Sequence, residues 1–144
     1  MLHRDLAARN VLVHRLDPVH VKVCDFGHAR PGTRWDALSQ HGNASDSILQ
    51  FPIRWMAPEG LVEGNPVWTE KSDVWSFGVT IWEILSNARE PFEELSDTEV
   101  LLAVRRGVRL PLPADICEDL VMVGASAAYS DIKNGLINVR THRQ

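Results

Sequence analysis

The chain has 144 residues, enough for one domain that buries roughly 68–70% of the surface of its unfolded form. Its 15 Lys and Arg against 19 Asp and Glu give a formal charge of -4 without a basic stripe, which argues against nucleic-acid binding. Two cysteines without metal-ligand spacing fit thiols in a reducing compartment, and no apolar run reaches the roughly 18 residues that suggest a membrane span.

The first predicted element is a β-hairpin over residues 11–24. Short β-branched runs flank the turn signal Asp17-Pro18, a pattern typical of two strands and a tight connection. Asn10 therefore stands just before the first strand, and Asp25 stands just after the second. Because neighbouring strands lie about 4.8 Å apart, we expect these two side chains to converge.

Three predicted segments follow the hairpin. Residues 28–50 are polar and show no sustained period, which predicts a long loop. Residues 54–64 predict a short helix, and residues 69–87 predict a longer helix with Thr69 as its N-cap. Since the longer helix is apolar on every face, we expect it to be buried at the centre of the fold.

The last clear element is a helix that begins at a capping box formed by Ser96 and Glu99. Gly107 predicts where this helix stops. Beyond Pro113 the pattern weakens. The whole pattern predicts a mainly α fold with a short β-hairpin.

Three side chains near the hairpin ends have the chemistry of phosphoryl transfer. Asn10 and Asp25 offer hard oxygen ligands, which suit Mg²⁺. Asp5 lies in the preceding segment, where a carboxylate could orient a hydroxyl nucleophile and accept its proton.

These residues lie in two of four motifs that together resemble the C-terminal lobe of a protein kinase of the tyrosine-specific group. "HRDLAARN" (3–10) resembles the catalytic loop, and "DFG" (25–27) resembles the metal-binding loop. "APE" (57–59) resembles the end of the activation segment, and "SDVWSFGV" (72–79) resembles the central helix. The resemblance predicts a partial kinase-like C-terminal lobe over residues 1–122, without the N-terminal lobe, and leaves residues 123–144 as an unassigned tail.

The tyrosine-specific group is favoured over the serine/threonine group at three places. Ala7 stands where the serine/threonine group usually has a lysine, and the cation is Arg9 instead. Residues 51–59 resemble the substrate platform of the tyrosine group, and residues 72–84 carry that group's helix pattern.

The resemblance implies a role for each candidate site residue. Asp5 would be the catalytic base, and Arg9 would help to position the phosphoryl group and the phenol oxygen. Asn10 and Asp25 would bind ATP through Mg²⁺, with Mn²⁺ as an alternative, and Leu12 would lie beneath the adenine. The implied substrate platform comprises Pro52, Arg54 and Trp55. The implied regulatory and structural residues are His3, Arg4, Phe26, Gly27, Glu59 and Asp73.

The sequence also departs from the family pattern. It contains no Gly-rich G-x-G-x-x-G loop, no matching lysine, and no arginine partner for Glu59. We therefore expect this chain to be inactive alone, with apolar faces of residues 11–24 and 72–86 uncovered. Residues 28–50 contain no tyrosine, which excludes autophosphorylation on a tyrosine there. The remaining candidate phosphosites are Thr33, Ser39, Ser45 and Ser47.

The first functional hypothesis is a protein tyrosine kinase catalytic lobe whose partners are a protein substrate and a missing N-terminal lobe. The alternative is a non-catalytic, kinase-like fragment that binds another protein, and a third is a chain that does not fold stably. The expected location is the cytoplasm, or the cytoplasmic side of a membrane if the parent is a receptor.

Overall fold

The structure is a computed structural model that describes residues 1–31, 51–62 and 66–111. The elements in chain order are a 3₁₀ turn at Ala8–Asn10, strands β1 (Val11–Leu16) and β2 (Val19–Val23), a 3₁₀ turn at Ile53–Trp55, and helices α1 (Glu70–Leu85) and α2 (Asp97–Arg105). This arrangement confirms the predicted mainly α fold with a short β-hairpin. Most of the predicted loop at 28–50 and all of the predicted tail at 123–144 lie outside the described residues.

The hairpin forms as predicted and is exposed to solvent. Strands β1 and β2 pair antiparallel from Val11 opposite Val23, with an irregularity between Val13 and Arg15. Its large apolar side chains are 45–78% exposed, which confirms the expected uncovered face: Leu12, Val13, Leu16, Val19, Val21 and Val23. An exposed apolar patch of this kind is typical of a surface that contacts another chain or segment.

Helix α1 begins at the predicted N-cap. The Thr69 hydroxyl accepts hydrogen bonds from the backbone N–H groups of Lys71 and Ser72, and the Ser72 hydroxyl accepts one from Thr69 N–H. These bonds satisfy donors that the first turn of a helix leaves without a partner. The start of the longest helix is therefore encoded locally, within four residues.

The prediction that α1 is buried on every face is wrong, whereas the uncovered apolar face expected at residues 72–86 is present. Trp75, Val79 and Trp82 are buried, but Phe77 is 48% exposed and Ile84 is 62% exposed. The reason is that the described core lies on one side of the helix. That core contains Leu2, Ile53, Met56, Ala57, Leu61, Trp68, Val100, Val104 and Leu110 in addition to the three buried α1 residues.

The predicted short helix at 54–64 was also wrong for the residues that the structure describes there. The chain forms a 3₁₀ turn at Ile53–Trp55 and then a tight turn, in which Gly60 N–H donates to Ala57 O at 2.9 Å. Pro58 has no backbone N–H, and the core contacts of Met56 and Leu61 are made without an α-helix. Apolar spacing at 54–62 therefore reflects burial of turns.

Helix α2 carries the predicted capping box. The Ser96 hydroxyl accepts from Glu99 N–H, and the Glu99 carboxylate accepts from Ser96 N–H at 2.8 Å and from Ser96 Oγ–H at 2.7 Å. Hydrogen bonds from the Ser96 side chain and then from its backbone lower the pKa of Glu99 below its ordinary value. Since the folded-state pKa is the lower one, this contribution to stability is present at neutral pH and is lost as pH falls through that lowered value.

Replacing Ser96 with alanine should destabilise the protein by about 1 kcal/mol, because it removes the N-cap acceptor and the hydroxyl donor together. The change should also move the pKa of Glu99 back toward its ordinary value. Urea unfolding at neutral pH and NMR titration of the Glu99 carboxyl measure the two effects. An unchanged Glu99 titration would show that the capping box is not formed in solution.

Candidate active site

The segment at residues 3–10, named here the HRD loop, is held by hydrogen bonds to helix α1. The Asp73 carboxylate accepts from His3 N–H at 2.7 Å and from Arg4 N–H at 2.9 Å. Arg4 has a φ of 69°, a left-handed conformation that costs a non-glycine residue about 1–3 kcal/mol. The two charge-assisted hydrogen bonds offset that cost and set the direction in which the loop leaves the helix.

His3 connects the HRD loop to the chain that follows β2. Its Nδ1 accepts from Asp5 N–H at 3.3 Å, so the ring proton is assigned to Nε2, which donates to Cys24 O at 3.0 Å. The His3 ring also lies against Phe26, with ring centroids 4.9 Å apart. One buried side chain thus contacts both halves of the candidate site.

Asp5 is the buried carboxylate at the centre of this arrangement, 7% exposed. One of its oxygens pairs with the Arg9 guanidinium, and the other accepts from Asn10 Nδ2 at 3.0 Å. Asn10 Nδ2 also donates to Asp5 O at 2.8 Å. The structure therefore brings together three predicted site residues and fixes the orientation of the carboxylate from both sides.

The hairpin brings its two ends together at the same place. Cys24 N–H donates to Asn10 O at 2.9 Å, so Asp25 leaves β2 next to the start of β1. Asp25 is exposed, has a φ of 61°, and accepts from Gly27 N–H at 3.3 Å. A Cβ added at Gly27 would lie 3.2 Å from this same carboxylate oxygen, which makes glycine the fitting residue there.

The oxygen donors at these strand ends suit a hard cation such as Mg²⁺. Because Asn10 Nδ2 donates to Asp5, the amide oxygen is the atom left to bind a metal. Among the described residues, no three His, Cys, Asp or Glu side chains form a metal cluster. The Asn10 amide oxygen and the Asp25 carboxylate are two oxygen donors, a set that fits Mg²⁺, since this ion keeps only one or two protein ligands and takes water and phosphate for the rest.

Arg4 carries a positive charge close to Arg30, which lies three residues after the DFG motif. Its guanidinium lies 5.4 Å from the centre of the Trp68 ring. Burial and then the nearby Arg30 charge lower the pKa of Arg4, and the Asp73 carboxylate acts in the opposite direction. The backbones of Leu2 and Arg30 exchange two hydrogen bonds, which keep these charges close.

Arg54, one of the three residues of the predicted substrate platform, contacts the loop before α2. Arg54 donates to the carbonyl oxygens of Pro91, Phe92 and Leu95 at 2.7–2.9 Å and pairs with Asp97 at 2.9 Å. Its guanidinium therefore holds the loop before α2. Acidic residues on both sides of the loop, Glu90 and Asp97, pair with Arg54, whereas its carbonyl acceptors are backbone groups without a sequence signal.

The other implied residues occupy varied positions. Pro52 and Glu59 are partly buried, and Glu59 O accepts from Val67 N–H at 3.0 Å. Leu12 and Phe26 are 54% and 52% exposed. Trp55 is partly buried, and its ring lies 4.7 Å from the Arg9 guanidinium carbon, within the range of a cation–π contact.

One residue of this site was missed by the sequence analysis. The Glu83 carboxylate accepts from Ala8 N–H at 2.9 Å and from Trp55 Nε1–H at 2.7 Å. The sequence did contain a signal, because Glu83 is a single acidic residue between the apolar Trp82 and Ile84 of a helix predicted to be buried. A charge in such a place needs partners. Those partners could not be identified, because they lie far away in the sequence.

The chain is similar to known proteins over most of its length. A family model described as "Protein tyrosine and serine/threonine kinase" matches residues 1–133. The chain is 45% identical over 122 residues to "Proto-oncogene tyrosine-protein kinase ROS" of Homo sapiens, an alignment covering 83% of this chain and 5% of that protein.

For two further relatives, too, the alignment covers most of this chain and a small part of the relative. The chain is 44% identical over 123 residues to "Tyrosine-protein kinase transforming protein ros" of UR2 avian sarcoma virus, covering 83% of this chain and 29% of that protein. It is 42% identical over 114 residues to "Ephrin type-A receptor 1" of Homo sapiens, covering 79% and 11%. The chain thus spans less than a third of the length of these relatives. In the described part of the chain, neither helix has the length and hydropathy needed to cross a membrane.

Proposed function

The chain belongs to the protein tyrosine and serine/threonine kinase family, and from that premise we propose that it forms the catalytic lobe of a protein tyrosine kinase. In this proposal it transfers the γ-phosphoryl group of ATP to a tyrosine of a protein substrate. This sequence contains no G-x-G-x-x-G loop, so the proposal requires a kinase N-terminal lobe to cover the phosphates. Its location is the cytoplasm, or the cytoplasmic face of a membrane if the parent protein is a receptor.

The observation that carries the proposal is the arrangement around Asp5. Its carboxylate is buried at 7% exposure and is oriented by Arg9 on one side and by Asn10 at 3.0 Å on the other. A general base must lie within hydrogen-bond reach of the proton that it accepts, in a fixed direction. Asp5 in this role orients the substrate hydroxyl and takes its proton as the phosphoryl group is transferred.

Arg9 acts on the same reaction from the other side of Asp5. Its side chain is 46% exposed, so it remains accessible from solvent while paired with the carboxylate. The planar guanidinium presents several N–H donors in a geometry that matches phosphate oxygens. Arg9 thus positions the transferring group and the phenol oxygen relative to Asp5.

Asn10 Oδ1 and the Asp25 carboxylate are the proposed ligands of Mg²⁺, or of Mn²⁺. When bound, ATP would supply the phosphoryl group and the metal would neutralise the charge that develops on it. The short link between Cys24 N–H and Asn10 O, 2.9 Å long, keeps the two ligand-bearing strand ends adjacent. Leu12 offers an apolar surface for the adenine, since its side chain is 54% exposed.

Preference for tyrosine is supported by the Trp55 ring under Arg9. The aromatic residue and Pro52 provide apolar surface on which a phenol ring could pack before reaching Asp5. The relatives are named as tyrosine kinases or, for the ephrin protein, as a receptor. Those names agree with a protein substrate for this chain.

The test is phosphoryl transfer to a tyrosine peptide by the 144-residue chain with and without a kinase N-terminal lobe supplied in trans. The chain alone should be inactive, and the added lobe should restore transfer that requires Mg²⁺. A serine peptide of the same sequence is the matched substrate control. Binding of the lobe without any turnover would contradict the catalytic proposal.

That same outcome would favour a second candidate function, a non-catalytic module that binds protein. The observation in its favour is the exposed apolar face of the hairpin, where Leu16 and Val19 are 78% and 74% exposed. Under this alternative, Leu16→Lys should abolish binding of the lobe. No activity that depends on Asp5 is expected, with or without this substitution.

A further inference from the structure

Glu83 of α1 joins two separate parts of the candidate site through a single oxygen atom. Its Oε2 accepts from Ala8 N–H in the HRD loop at 2.9 Å and from Trp55 Nε1–H at 2.7 Å. The two donors are 75 and 28 residues away in sequence. Both hydrogen bonds go to an ionised acceptor, which makes them stronger than bonds between neutral groups.

The first of these bonds fixes the start of the 3₁₀ turn at Ala8–Asn10. The residue before this turn is Ala7, which has no side-chain acceptor and makes no capping hydrogen bond. Glu83 supplies the missing acceptor from another element. The turn then presents Arg9 and Asn10, whose side chains both donate to Asp5.

The second bond fixes the indole of Trp55. The Trp55 backbone is held as well, because Ser76 Oγ–H donates to Trp55 O at 2.8 Å. The indole ring in turn lies 4.7 Å from the Arg9 guanidinium carbon. Arg9 therefore contacts both Asp5 and Trp55, and Glu83 accepts hydrogen bonds from the turn that carries Arg9 and from the Trp55 ring.

We infer that Glu83 is a positioning residue that couples the orientation of Asp5 and Arg9 to the Trp55 part of the substrate platform. The inference rests on the proposed function and deepens it. Glu83 acts through Ala8 and Trp55, without contact to the reacting groups. Because one oxygen accepts both bonds, Glu83→Gln can keep them with its amide oxygen, whereas Glu83→Ala removes both.

The first test uses amide and indole hydrogen exchange in the 144-residue chain, measured by NMR. Glu83→Ala should accelerate exchange of Ala8 N–H and the Trp55 indole N–H by about tenfold, and Glu83→Gln should keep both within about threefold. Glu70→Ala removes an acidic residue from the exposed start of the same helix and should leave both unchanged. Trp55→Phe identifies the indole signal among the five tryptophans.

Two exchange results would overturn the inference. One is equal exchange of Ala8 in Glu83→Ala and Glu70→Ala. The other is uniform acceleration across α1 and α2 in Glu83→Ala, which would mean global destabilisation. If Glu83→Ala does not fold, Trp55→Phe serves instead, since it keeps an aromatic ring but removes one donor. Faster Ala8 exchange in that variant supports the coupling, and unchanged exchange contradicts it.

The second test measures phosphoryl transfer with the N-terminal lobe present. Glu83→Ala should lower kcat for a tyrosine peptide by about tenfold to a hundredfold, with little change in KM for ATP, and Glu83→Gln should restore most of the rate. Wild-type kcat in Glu83→Ala would overturn the positioning role. If the wild-type chain itself transfers nothing, the proposed function fails, and the exchange results alone decide whether Glu83 couples the two segments.

Discussion

Asp5→Asn should reduce kcat for tyrosine phosphorylation by roughly 10²- to 10⁴-fold in the reconstituted kinase, because an amide cannot accept the hydroxyl proton. The substitution keeps the size of the side chain but changes one oxygen into an NH₂ donor. That donor would face either Arg9 or Asn10, which both donate to Asp5 in the structure. The loss thus combines missing proton acceptance with disturbed orientation. Initial rates at saturating ATP and peptide measure it.

A matched variant separates these two contributions. Arg9→Lys keeps a positive charge beside Asp5 but removes the planar guanidinium, so it should lower kcat less than Asp5→Asn does. Peptide KM and the circular dichroism of each variant show whether substrate binding and folding are preserved. A folded Asp5→Asn protein with nearly wild-type kcat would show that Asp5 is not the base.

Asp73→Ala should destabilise the protein by about 3–5 kcal/mol, the second large effect that we expect. It leaves the N–H groups of His3 and Arg4 without the charged acceptor that lies 2.7 and 2.9 Å away, and each such bond contributes about 1.5–3 kcal/mol. Since domains of this size have total stabilities of only about 5–15 kcal/mol, a large share would be lost. Arg4 would also lose the nearby charge that opposes the lowering of its pKa.

Urea unfolding of the chain measures this effect through the midpoint at constant slope. Asp73→Asn keeps one oxygen acceptor and should lose about half as much as Asp73→Ala. Glu93→Ala is the control, because Glu93 is an exposed acid that pairs with Arg89, which is exposed as well. Equal midpoints for Asp73→Ala and Glu93→Ala would contradict a structural role for Asp73.

Several site residues could be placed from sequence because their neighbours are close in the chain. Asp5 and Asn10 are five residues apart and meet directly, and Arg9 reaches Asp5 as an i,i+4 pair. Asn10 and Asp25 are separated by a hairpin whose strands and turn have clear signals. Local separation limits the possible geometries, so residue types and spacing pointed to Asp5, Asn10 and Asp25, and the family resemblance added Arg9.

The location of other contacts was beyond sequence reasoning. Arg54 resembles a platform residue, yet its guanidinium binds carbonyl oxygens 37 to 41 residues later. Glu83 contacts Ala8 across 75 residues. The Ala8 donor and the carbonyl acceptors of Arg54 are backbone groups that every residue carries, so residue type does not mark them, although the Asp97 carboxylate also pairs with Arg54.

The sequence by itself determined the hairpin, the N-caps of both helices and the set of residues around Asp5. Each depends on hydrogen bonds or spacing within a few residues, or on one tight connection. Only the tertiary structure decided that α1 is buried on one side, that residues 54–61 form turns, and that Glu83 joins the HRD loop to Trp55. Those outcomes depend on which surfaces pack together, and an apolar pattern specifies a buried face without specifying its partner.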